Sequence, residues 1–105
     1  YAPRTPAVLV EPDALRAEIA QLGERDEEVA VLARTVERPA DFEDAWIRAP
    51  ANASAYAHDL YANLRVLDAA NADVILVENV PQDDAWLAVR DRLARATRGE
   101  DDDRD

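Results

Sequence analysis

The side chains with the greatest chemical reach here are a lone histidine, His58, the acid Glu78, and two dense carboxylate runs, Asp26-Glu27-Glu28 and Asp101-Asp102-Asp103. A histidine serves as a general base only with a substrate or nucleophile within hydrogen-bond reach. His58 sits beside Ala57 and Leu60 in a helical pattern, with no second histidine in the chain, and reads as a surface or boundary residue. The carboxylate runs fall in a turn and in a tail, where they read as solvated charge. Glu78 is different because it ends the apolar run Val74-Ile75-Leu76-Val77. Ligands on open α/β sheets gather beyond the carboxyl ends of the strands, which makes Glu78 the candidate ligand-binding residue. The plainer role for it is pairing within the loop before the last helix.

Much chemistry is excluded by what is missing. There is no cysteine, so disulfides, thiolate nucleophiles and cysteine metal sites are out. There is no lysine either, which removes Schiff-base chemistry and the lysine of a P-loop. The two glycines, Gly23 and Gly99, do not lie between a strand and a helix start, so no glycine-rich phosphate cradle is expected. No catalytic residue and no metal ligand is nominated in this chain. A formal charge of −11 opposes a phosphate backbone, and no direct nucleic-acid site is expected. The longest apolar runs are far shorter than the roughly 18 residues of a membrane span, and no basic-then-apolar leader opens the sequence. The cytoplasm is the expected compartment. Trp46, Trp86, Tyr56 and Tyr61 read as core and boundary aromatics rather than a recognition surface.

The elements that must carry these residues follow from periodicity. Ala7-Val8-Leu9-Val10 reads as a strand, and Pro12 to Leu22 as a helix with Leu15, Ile19 and Leu22 on one face and Gly23 as its left-handed stop. Val29 to Ala33 reads as a strand buried on both faces, and Ala45 to Arg48 as a third strand. Ala53 to Ala70 is the longest helix, capped by Asn52 or Ser54, with Ala57, Leu60, Leu64 and Leu67 on its apolar stripe. Asp73 to Glu78 is a strand, and a helix begins at Asp83 or Asp84 with Trp86, Val89, Leu93 and Ala96 on one face. With helices between strands, the chain is expected to form an α/β, three-layer, Rossmann-like domain with a mostly parallel sheet. The domain covers 7–98 around a single core shared by Leu60, Leu64, Val74, Leu76, Trp86 and Leu93. Residues 1–6 read as the end of a linker, and 99–105 as a disordered acidic tail.

Three segments carry a family resemblance: Tyr1-Ala2-Pro3-Arg4-Thr5-Pro6, the run from Tyr56 to Asp68, and Ile75-Leu76-Val77-Glu78 with Asp91-Arg92-Leu93. The chain resembles the C-terminal domain of bacterial L-threonylcarbamoyladenylate synthase, the two-domain form whose first domain is of the YrdC type. The resemblance implies an accessory or regulatory domain of a nucleotidyltransferase. That enzyme makes threonylcarbamoyl-AMP from threonine, bicarbonate and ATP for tRNA threonylcarbamoyladenosine modification. It implies a YrdC-type catalytic domain of the same protein as partner. ATP and magnesium belong to that first domain, and no cofactor to this one. Tyr1, Ala2 and Pro3 match the end of the family's linker, which covers the active-site mouth, and are its gating candidates here. In the domain alone, this end is expected to fray and contact nothing. The alternative reading is a free-standing Rossmann-like module for interaction or small-ligand binding.

Overall fold

Three short runs rich in valine, isoleucine or leucine and the brief segment Trp46-Ile47-Arg48 pair in one sheet. The computed structural model describes residues 1–98, so the tail expected at 99–105 lies outside the described residues. Strand β1 is Ala7–Val10, β2 Val29–Ala33, β3 Trp46–Arg48 and β4 Val74–Glu78. The sheet order is β1-β4-β2-β3 and every pairing is parallel; helices make the β1–β2 and β3–β4 crossovers, while a twelve-residue loop, 34–45, joins β2 to β3. Central β2 and β4 pair from Val29 with Val74 to Leu32 with Val77, which aligns their carboxyl ends.

Helix α1 (Leu15–Glu24) follows a 3-10 turn at Pro12–Ala14, so the expected first helix starts as a tighter spiral. Its exit uses Asp26 rather than Gly23 as the left-handed residue: Asp26 has φ 60°, while Gly23 is helical. Three more residues of chain, Gly23 to Arg25, fit before the reversal, and an aspartate tolerates that conformation better than most side chains. Helix α2 (Ala53–Ala69) is capped by Asn52, whose Oδ1 accepts the Ala55 N–H at 2.9 Å. Helix α3 (Leu87–Arg98) follows a second 3-10 turn, Asp84–Trp86.

The crossover from β1 to β2 runs one way across the sheet and that from β3 to β4 runs back. Right-handed crossovers in opposite directions place their helices on opposite faces. The core divides accordingly, which corrects the expectation of one shared core. Leu60, Leu64, Ile75, Val77, Trp86 and Leu93 fill the face under α2 and α3. Leu15, Leu22, Val31 and Leu76 fill the face under α1, with Val74 packed against them. Residues alternate along a strand, so Val74 and Leu76 cannot share a face with Ile75 and Val77.

Candidate functional site

Parallel strands bring their carboxyl ends to one edge, and there Glu78 meets the loop leaving β2. The residue is 1% exposed. Its Oε1 accepts three consecutive backbone N–H groups, from Arg34 at 2.7 Å, Thr35 at 2.9 Å and Val36 at 3.0 Å. Its Oε2 accepts the Thr35 N–H at 3.2 Å and the Thr35 hydroxyl. Desolvation pushes this carboxyl upward, but the Thr35 hydroxyl and the three N–H groups outweigh it and hold its pKa below the ordinary glutamate value. Consecutive N–H groups converging on one anion form a nest of the kind that binds phosphate elsewhere. Here the chain's own carboxylate fills it, so this cradle does not fit the phosphates of ATP. Among the described residues, no group of three or more histidine, aspartate or glutamate side chains is placed to hold a metal.

By fixing the backbone of Arg34, Glu78 also sets the direction of the arginine side chain. Arg34 Nη1 donates to the Ala51 carbonyl at 2.9 Å, just before α2, and the guanidinium carbon lies 4.9 Å from the centre of the Trp86 ring. Trp86 stands edge-to-face with Tyr56, their ring centres 5.4 Å apart. The Tyr56 hydroxyl and Arg34 Nε are both buried without a hydrogen-bond partner. Burial, then the charge of Glu78, drive the Tyr56 pKa far up, with Arg34 offsetting part of the effect, so the hydroxyl keeps its proton. Tyr56 and Trp86 are core residues as expected, and Trp46 and Tyr61 are boundary ones.

The other candidates, Tyr1, Ala2 and Pro3, belong to the N-terminal segment that meets α2 between Tyr61 and Asp68, away from Tyr56 in its first turn. The frayed end expected there is not what forms. Tyr1 packs edge-to-face on Tyr61 with ring centres 5.8 Å apart, and the guanidinium carbon of Arg65 lies 5.9 Å from the Tyr1 ring centre. Asp68, in the last turn of α2, accepts the Arg4 N–H at 3.1 Å, the Thr5 N–H at 2.9 Å and the Thr5 hydroxyl at 2.7 Å. Desolvation works to raise the Asp68 pKa, but these bonds and the nearby Arg4 charge hold it below the ordinary aspartate value. The correction has a simple cause: two otherwise unpaired N–H groups and a hydroxyl find one carboxylate, and two aromatic rings bury part of each other.

Sequence reasoning missed Asp68, Arg34 and Thr35. Asp68 had a signal, because an acid in the last turn of a helix opposes the helix dipole and needs another reason to be there. Arg34 and Thr35 had none, since their role depends on which strand lies beside β2. His58 is exposed and its Nδ1 meets Asp59 Oδ1 at 2.9 Å, as a surface histidine would. An open groove of about 270 Å³ lies elsewhere, floored by Ile19, Val29 and Phe42 and rimmed by Glu27, Asp41 and Asp44.

No helix in the described residues is long and apolar enough to cross a membrane. No curated protein matches the sequence. Among solved structures, a variant of P. abyssi Sua5 with a histidine and a tyrosine replaced by alanine is 29% identical, with a TM-score of 0.73 over 90% of this chain. This chain covers 28% of that protein, so it corresponds to a minor part of it. The C-terminal Sua5 domain from Pyrococcus horikoshii is 25% identical, with a TM-score of 0.71, 90% of this chain and 95% of that one being covered. The family described as threonylcarbamoyl-AMP synthase, C-terminal domain, matches residues 1–97, and the chain belongs to it.

Proposed function

We propose that this domain is the accessory part of a cytoplasmic threonylcarbamoyl-AMP synthase, and that it aims the linker leading to a YrdC-type catalytic domain in the same protein. The family membership supports the place in that enzyme. The whole protein then joins threonine, bicarbonate and ATP into threonylcarbamoyl-AMP for tRNA modification, with ATP and magnesium held by the catalytic domain. This domain contributes no reacting group and does not touch the tRNA.

The observation that carries the reading is the latch on Asp68, which ties the backbone of Arg4 and Thr5 to the end of α2. Pro3 and Pro6 stiffen the same segment by fixing φ and by restricting the residues before them. A stiff strap tied at one end holds the preceding chain in one direction, so little order remains to be imposed when it closes over a neighbouring pocket. Tyr1, whose ring rests on Tyr61 and stays half exposed, presents its outer face and hydroxyl to the pocket mouth, while Ala2 keeps the strap narrow.

The test is made in the intact two-domain protein with Tyr1→Ala and Pro3→Gly combined. Retention of threonylcarbamoyl-AMP is expected to weaken and turnover to change, with the denaturation midpoint of the accessory domain nearly unmoved. Intermediate release and turnover equal to the parent enzyme's would remove the gating role.

A further inference from the structure

Among the described residues, two buried hydrogen-bond donors near the strand ends have no acceptor. An unpaired polar group sealed from water is costly, and native structures pair nearly all of them. The Tyr56 hydroxyl belongs to a residue only 1% exposed, and Arg34 Nε lies in the same aromatic cluster. Both are donors: the hydroxyl keeps its proton, and a guanidinium has nothing but N–H to offer. What would satisfy them is therefore an acceptor, and one able to meet a guanidinium in its planar geometry. Carboxylate and phosphate oxygens do that best.

The surroundings fit such a ligand. Arg34 is half-buried, so its guanidinium forms the outer cover of the cluster, held by the Ala51 carbonyl and the face of Trp86. The first turn of α2, which carries Tyr56, begins two residues after Ala51 and contributes the positive end of a 17-residue helix. Glu78 takes neither donor, since its oxygens are engaged by the loop from Arg34 to Val36, and the negative charge it presents to Tyr56 is offset in part by the Arg34 guanidinium. It instead fixes the backbone from which Arg34 reaches. The place is also the edge where open parallel sheets bind their ligands.

We propose that Arg34, Tyr56 and Trp86 form a closed binding site for a small oxyanion, a carboxylate or a phosphate. Arg34 Nε, the unpaired donor, takes one ligand oxygen while Nη1 keeps the Ala51 carbonyl, the Tyr56 hydroxyl donates to the same group, and Trp86 lines one side. Glu78 acts as the positioning residue. The site is separate from the strap and needs no neighbouring domain, so its failure and the failure of the gating reading are distinguishable.

The experiment titrates the 105-residue chain with sodium phosphate and, in a second arm, sodium acetate, at constant ionic strength against sodium chloride, following amide and indole N–H signals by NMR. Saturable shifts at Arg34, Thr35 and the Trp86 indole are expected with at least one oxyanion and not with chloride. The arm that binds tighter names the ligand class. Tyr56→Phe should weaken the Kd tenfold or more while its melting temperature stays level or rises, because the change removes an unpaired buried hydroxyl. Arg34→Gln should abolish the shifts. No saturable response to either oxyanion, or an unchanged Kd in Tyr56→Phe, overturns the proposal.

Discussion

Asp68 and Glu78 use the same device at two depths. Each carboxylate gathers successive backbone N–H groups and one threonine hydroxyl, Asp68 from Arg4 and Thr5, Glu78 from Arg34, Thr35 and Val36. Asp68 does so on a half-exposed helix end, while Glu78 is sealed at 1% exposure. Water can replace the first set of bonds and cannot easily reach the second. The same chemistry therefore gives a releasable strap in one place and a fixed loop in the other.

The largest effect should come from the sealed copy. Glu78→Ala leaves the N–H groups of Arg34, Thr35 and Val36 facing an emptied acceptor site, and about 3 to 5 kcal/mol of stability should be lost, measured by urea denaturation. A loss below about 1 kcal/mol would mean that water enters the nest and that the two carboxylates are alike. Leu76→Ala, two residues earlier in β4, serves as the apolar reference. It should cost about 2 to 5 kcal/mol with the urea slope unchanged, because Leu76 is buried under α1. An unmoved midpoint would contradict that burial.

Acid should act on both carboxylates with the same sign. Each pKa is lower in the folded chain than its ordinary value. Each contribution is thus complete above the ordinary carboxylate pKa and is lost as pH falls through the lower, folded value. A stability profile below pH 5 should show the parent losing stability more steeply than Glu78→Gln, and slightly more steeply than Asp68→Asn. Parallel acid limbs for the parent and Glu78→Gln would remove the charge-linked part of the comparison.

Much of the fold could be read from the sequence because its signals are local. The Val29 to Ala33 run, the Asn52 cap and the stripe through Leu60, Leu64 and Leu67 each declare themselves within a few residues. The division of the core was recoverable from strand alternation, yet it became evident only once α1 and α2 were placed on opposite faces. Glu78 stood out in the sequence by its position at a strand end. Its partners were not, because Arg34 and Thr35 lie more than forty residues away in sequence and meet Glu78 only through the β2–β4 pairing. The docking of Tyr1 was hidden for a related reason. Proline restricts a segment's path but says nothing of the helix it lies against, and that was set by Tyr61, Arg65 and Asp68.

Asp68 ties the strap to the domain through the backbone of Thr5, and amide hydrogen exchange at that residue reads the tie out. The N–H of Thr5 should be protected about five- to tenfold in the parent, as a bond worth about 1 kcal/mol implies. In Asp68→Ala that protection should vanish while Thr35 and Val36 stay as protected as before. A Thr5 amide exchanging at the unprotected rate in the parent, or equally protected after Asp68→Ala, would contradict the claim.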